Sequence, residues 1–139
     1  PHDAGGETMW GITSKVAREN GYLGDMSELP LQTAKDIAKK VYWDPYHCDE
    51  LPEDLAFQVF DAAYNGGMPI KWLQQSVGVL ADGHIGPLTL KAAQVCNVGK
   101  AIMRFNSLRL QYYTSLPTWT YFGKGWVNRI ANNLWRVAQ

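Results

Sequence analysis

The stretch Glu53-Asp54-Leu55-Ala56-Phe57-Gln58-Val59-Phe60-Asp61-Ala62-Ala63-Tyr64-Asn65 decides how the rest of the chain is read. Pro52 and the acids at 53 and 54 suit a first helical turn, where unpaired amides and the positive end of the helix dipole favour them. Gly66-Gly67 supplies the stop. Leu55, Ala56, Phe57, Val59, Phe60, Ala62, Ala63 and Tyr64 make the helix apolar around most of its circumference, which predicts burial in the middle of a domain. Its polar residues, Asp54, Gln58, Asp61 and Asn65, recur at helical spacing and share one stripe. Such a stripe is either the wall of a cleft or a set of helix-to-loop hydrogen bonds, and both readings stand for Asp61 and Asn65.

Outward from this helix the pattern stays helical. Thr13 or Ser14 caps a short helix through about Asn20, with Gly21 as its stop. A second helix fits Leu31 to about Trp43, with Ala34, Ile37, Ala38 and Val41 on one face and Asp44-Pro45 ending it. Beyond Gly67, helices fit Ile70 to about Val79, with Trp72, Leu73 and Val77 inward, and Leu88 to about Cys96 after the Asp82-Gly83 turn. Two longer amphipathic helices follow. Ala101, Ile102, Phe105, Leu108 and Tyr112 mark the first, and Val127, Ile130, Ala131, Leu134 and Trp135 the second. Between them Trp119-Thr120-Tyr121-Phe122-Gly123-Lys124-Gly125-Trp126 reads as an aromatic loop. No repeat or linker divides the chain, so one domain is expected over residues 1–139.

Composition narrows the function. The 139 residues are 46% hydrophobic and 12% aromatic, with six tryptophans, which fits a packed globular core. Thirteen Lys and Arg balance thirteen Asp and Glu, so no global field attracts nucleic acid or a membrane. Neither partner is expected, nor is stable membrane insertion, since no run is long and apolar enough to span a bilayer. An upstream leader stays open because the chain starts at Pro1. Oligomeric state is left undetermined. Cys48 and Cys96 read as two separate buried thiols. His2, His47 and His84 lack metal-ligand spacing, so no metal is expected.

At the N-terminus, Asp3-Ala4-Gly5-Gly6-Glu7-Thr8-Met9-Trp10-Gly11-Ile12-Thr13 joins a carboxylate, a glycine pair and a threonine. Glycine pairs take positive φ and turn tightly, which predicts a small hairpin with Asp3 and Thr8 on its two arms, over a cleft. This stretch resembles the N-acetylmuramidases of glycoside hydrolase family 108. Their signature is Glu-Gly-Gly-Tyr, a short spacer, then Asp-x-Gly-Gly-x-Thr-x-x-Gly-Ile-Thr. Asp3, Gly5, Gly6, Thr8, Gly11, Ile12 and Thr13 match the second half, whereas the first half, with the family's catalytic glutamate, would lie before Pro1. Leu73 to Val79 and Asp82 to Leu90 resemble the Leu-Gln, Gly-Val, Asp-Gly-x-Ile-Gly-Pro-x-Thr-Leu pattern of peptidoglycan-binding helical modules, which also occurs later in that family. Phe122, Gly125, Trp126, Asn128 and Arg129 match its Phe-x-x-Gly-Trp-x-Asn-Arg pattern.

The resemblance implies a mainly α, lysozyme-like domain with a small N-terminal β-hairpin, a cleft-forming half over 1–67 and a helical half over 68–139. It implies an endo-acting muramidase that cuts peptidoglycan glycan strands without a cofactor, in the periplasm or after release from the cytoplasm during lysis. Cleavage needs a proton donor and either a nucleophile or an activated water. The donor is the upstream glutamate, and Asp3 and Thr8 are the catalytic helpers that position water. Trp10, Asp61, Tyr64, Asn65 and Tyr121, or Trp119 in place of Tyr121, are the substrate-binding candidates, since pyranose rings offer C–H faces to aromatics and hydroxyls to amides and carboxylates. Glu7 reads as a solvated side chain, and Arg129 as the partner of a buried carboxylate. A lytic transglycosylase, a non-catalytic peptidoglycan-binding module and a helical scaffold without either function are the alternatives.

Overall fold

The computed structural model describes residues 6–139, so Asp3 lies outside the described residues. The chain forms two compact units, Pro1–Pro45 and Tyr46–Gln139.

In the first unit, β1 (Thr8–Met9) pairs antiparallel with β2 (Ile12–Thr13), Thr8 opposite Thr13 and Met9 opposite Ile12. The turn between them is Trp10-Gly11, with φ of 54° and 80°. Positive φ at both central residues marks the type I′ turn, one of the mirror-image turns whose twist matches that of the flanking strands. The described hairpin is therefore closed by Trp10-Gly11, while the turn expected at Gly5-Gly6 involves residues outside those described. Thr13 then caps α1 (Ser14–Glu19), its Oγ1 accepting the Val16 amide at 3.2 Å. Arg18 secures the following loop by donating to the Tyr22 and Gly24 carbonyls at 2.9 and 2.6 Å. The expected helix from Leu31 to Trp43 is α2 (Leu31–Ala38), continued by a wider π-helical turn over Lys39–Trp43 and a 3-10 turn over Asp44–Tyr46. Pro45 has no amide to donate and ends the regular ladder. Ile12, Ala17, Met26, Leu29, Ala34 and Ile37 are buried in this unit.

The second unit is all helical. The sequence places α3 (Glu53–Asn65) to the residue. After it come α4 (Pro69–Val77), α5 (Pro87–Val95), α6 (Val98–Thr114) and α7 (Trp119–Val137). Proline opens both α4 and α5, where its missing amide costs nothing. Helix α6 packs on α4 and α3, and α7 packs on α6. Trp72 anchors the core with its ring edge-on to Phe105 and Tyr113, centroids 5.9 and 6.3 Å away. Gly67, at φ 110°, passes so close beneath the Trp72 ring that a Cβ there would collide with it.

Two expectations for the C-terminal region are corrected. The aromatic segment 119–126 is not a loop but the first two turns of α7, and the connection is only Ser115 to Thr118. Gly123 is the residue that lets the Trp119 ring lie on the helix, since a Cβ would sit 2.6 Å from Trp119 Cδ2. Phe122, three residues after Trp119, and Trp126, four residues after Phe122, complete an aromatic ridge with the Trp126 ring 5.7 Å from Phe122 and 6.1 Å from Trp119. The α7 stripe read as inward is also mostly outward: Ile130 is buried, whereas Val127, Ala131, Leu134 and Trp135 are exposed. Cys48 is buried, Cys96 is only partly so, and no disulfide joins them.

Candidate functional site

The polar stripe of α3 leads into the interior of the second unit. Asp61 is only 5% exposed, and both of its oxygens are engaged. Oδ2 accepts from Arg109 at 2.9 Å and from Asn133 Nδ2 at 2.8 Å, while Oδ1 accepts from Arg129 Nε at 2.7 Å. The Arg129 guanidinium also pairs with Oδ1 through its terminal nitrogen at 2.7 Å, as the reading of Arg129 anticipated. Arg109 is fully buried and donates through Nε to the Tyr113 hydroxyl at 2.9 Å, and the Tyr113 ring stacks on Trp126 with centroids 4.7 Å apart. Burial pushes the Tyr113 hydroxyl up in pKa, and the Arg109 guanidinium opposes that shift. One turn earlier, Gln58 Oε1 accepts from Asn106 Nδ2 at 3.2 Å, both side chains buried.

A buried charge of this kind stands only because its partners satisfy it. Three segments distant in sequence build the cluster: α3 gives the acid, α6 gives Arg109 and α7 gives Arg129 and Asn133. Arg109 and Asn133 escaped sequence reasoning. The signal for Arg109 was present, because it stands at a four-residue step between Phe105 and Tyr113 on an otherwise apolar face. No sequence signal marks Asn133.

The other candidates surround this network or lie in the first unit. Asn65 closes α3, its side-chain amide donating to the Asp61 carbonyl at 3.2 Å. Tyr64, half-buried, lies edge-on to Phe60 with centroids 5.1 Å apart. Tyr121 is 62% exposed on α7, in ring contact with Phe122. Trp119 sits in the aromatic ridge with Trp126, centroids 6.1 Å apart. In the first unit Thr8 is exposed on β1, and Trp10 stands at the hairpin tip, 52% exposed. A bulky residue at positive φ is strained. Trp10 is held there by its indole N–H, which donates to the Leu29 carbonyl at 2.9 Å. Glu7 is exposed.

The Leu-Gln and Asp-Gly-x-Ile-Gly-Pro-x-Thr-Leu segments meet around one buried side chain. Gln74 on α4 donates through Nε2 to Asp82 Oδ1 at 2.9 Å, the His84 carbonyl at 3.0 Å and Thr89 Oγ1 at 3.2 Å, and its Oε1 accepts the Gly83 amide at 2.9 Å. Asp82 Oδ1 also accepts the His84 amide at 2.9 Å. That amide, followed by the Gln74 side chain, holds the Asp82 carboxyl below its usual range. The motif's polar residues thus bind one another and fix the loop. The loop walls a cavity of about 300 Å³, lined mainly by Val79, Leu80, Ile85, Pro87 and Leu88, with Asp82 and His84 at its polar side.

Residues 1–67 match the Glycosyl hydrolase 108 family, and residues 68–131 match a Predicted Peptidoglycan domain. The solved structure of Brucella abortus SagA is 32% identical, with a TM-score of 0.85, over 98% of this chain and 82% of SagA. The chain belongs to glycosyl hydrolase family 108. Among functionally curated proteins, none matches the sequence.

As a family 108 member the protein is a peptidoglycan hydrolase with a mainly α, lysozyme-like fold and a two-stranded sheet. The two family segments meet just after Gly66-Gly67, inside the second compact unit. Asp61 belongs to the glycosyl hydrolase segment and Arg109 and Arg129 to the peptidoglycan segment, so one buried ion cluster spans both. The peptidoglycan segment completes the core that holds α3.

Proposed function

We propose that the protein is an endo-acting N-acetylmuramidase that hydrolyses the β-1,4 bond between N-acetylmuramic acid and N-acetylglucosamine. The observation that carries this reading is the family 108 match over residues 1–67, which contains the Asp3 to Thr13 signature. The proton donor is the glutamate of the Glu-Gly-Gly-Tyr half of that signature, ahead of Asp3. Asp3 and Thr8 position the attacking water, and no cofactor takes part.

Trp10, Tyr64, Asn65 and Tyr121 hold the sugar rings, the aromatics by their faces and Asn65 by its amide. Asp61 acts from behind Asn65. Its carboxylate is taken up by Arg109, Arg129 and Asn133, so it serves as a positioning residue that fixes Arg129 and, through its carbonyl, the Asn65 side chain.

The test is digestion of purified peptidoglycan by the protein carrying the Glu-Gly-Gly-Tyr half, with soluble products resolved by mass. Products ending in reducing N-acetylmuramic acid support the muramidase. Anhydro-muramic ends reassign it as a lytic transglycosylase, and reducing N-acetylglucosamine ends overturn the bond assignment. Sedimentation with peptidoglycan but no release of product leaves the binding module as the function.

A further inference from the structure

The overall charge balance conceals a partition. Every one of the thirteen acids lies at or before Asp82, and residues 83–139 contain Lys91, Lys100, Arg104, Arg109, Lys124, Arg129 and Arg136 with no Asp or Glu. Asp61 takes up Arg109 and Arg129. Lys91, Lys100, Arg104 and Lys124 remain exposed. The same region carries exposed apolar side chains, concentrated on α7. Val127, Ala131, Leu134, Trp135 and Ala138 recur at three- and four-residue steps and form one exposed stripe that borders the buried Ile130 and lies away from Asn133, with Lys124 one turn before it. Trp135 is 74% exposed. Arg136 lies on the other side of α7, 4.0 Å above the Phe57 ring.

We propose that α7 is a docking face for an anionic lipid surface, on which the protein rests peripherally. Two independent properties select this occupant. The stripe supplies apolar and indole side chains of the kind that settle at a headgroup boundary, and the exposed Lys124 one turn before it, in a segment with no acid, supplies positive charge at its edge. A glycan strand would leave the aliphatic side chains unmatched. A second copy would bring the same cations against Lys124, with no acid on α7 or α6 to pair with them. Docking is interfacial, since no described helix is long and apolar enough to cross a membrane.

The test is co-sedimentation of the full chain with vesicles of pure phosphatidylcholine and with vesicles in which phosphatidylglycerol is mixed in, at low and high salt. The expected result is partitioning to the anionic vesicles only, weakened by salt. Partitioning is expected to fall about tenfold in Lys124→Glu and about tenfold in Leu134→Ser/Trp135→Ser. All of these side chains are exposed, and far-UV circular dichroism melting curves identify any variant that has lost its fold. Equal binding to neutral vesicles, no binding to either, or anionic binding indifferent to the α7 stripe overturns the proposal. So does retention on a soluble anionic polymer without vesicle binding, or a concentration-dependent dimer that the stripe substitutions abolish. Hydrolysis of soluble glycan fragments is a separate readout, so failure here leaves the muramidase reading standing.

Discussion

At the scale of single residues, Asp61 and Trp10 illustrate two ways in which a costly local arrangement is held by its partners. Asp61 sits among two guanidiniums and an amide, and removing it would leave Arg109 buried without its counterion. Asp61→Ala is expected to cost about 3–5 kcal/mol in urea unfolding. Asp61→Asn keeps an acceptor toward Arg109 and should cost less. Equal losses from both would show that the carboxylate charge, rather than hydrogen-bond accepting alone, sets the cost. Trp10 is strained at φ 54° and tied by one hydrogen bond, while half of its surface remains open. Trp10→Gly is expected to leave the melting temperature nearly unchanged, because relief of roughly 1–2 kcal/mol of left-handed strain offsets the lost indole contact. The same variant should reduce peptidoglycan hydrolysis about tenfold or more. Full activity in Trp10→Gly would remove Trp10 from the substrate-binding set.

At the scale of elements, small residues decide how α7 and the α4–α5 connection are built. A methyl group at Gly123 would meet the Trp119 ring at 2.6 Å, so Gly123→Ala is expected to destabilise by about 1–3 kcal/mol although alanine favours helices. Gly125 faces open space, and Gly125→Ala should instead be neutral or stabilising by up to about 1 kcal/mol. The comparison separates packing from propensity within one turn. In the α4–α5 connection, the Asp82 carboxyl is held below its usual range chiefly by the His84 amide. A carboxylate with a depressed folded pKa adds stability at neutral pH and loses it as pH falls through the folded value. Wild-type protein should therefore lose more melting temperature between pH 7 and pH 3 than Asp82→Asn does. Parallel acid limbs in the two proteins would show that the Asp82 hydrogen bonds contribute nothing.

At the scale of the whole molecule, the family boundary near residue 67 and the compact-unit boundary at residue 45 do not coincide, because α3 belongs to one family segment and packs with the other. A fragment of residues 46–139 is therefore expected to unfold cooperatively in urea. A fragment of residues 68–139 lacks α3 and exposes Arg109, and it should show helical circular dichroism without a cooperative transition. A cooperative transition in the shorter fragment would contradict the shared core. The sequence by itself determined the helical class, the bounds of α3, the Thr13 cap and the family signatures, since these depend on local periodicity, capping chemistry and glycine or proline punctuation. It also carried the pairing of Arg129 with a buried acid, through the family pattern. Only the tertiary structure decided that Asp61 is that acid, that Gln74 ties the second motif together and that Arg109 and Asn133 complete the cluster. It likewise decided that the aromatic segment is helical and that the α7 stripe faces outward. Those outcomes depend on which faces meet across segments far apart in the chain, and helical periodicity names a face without naming its neighbour.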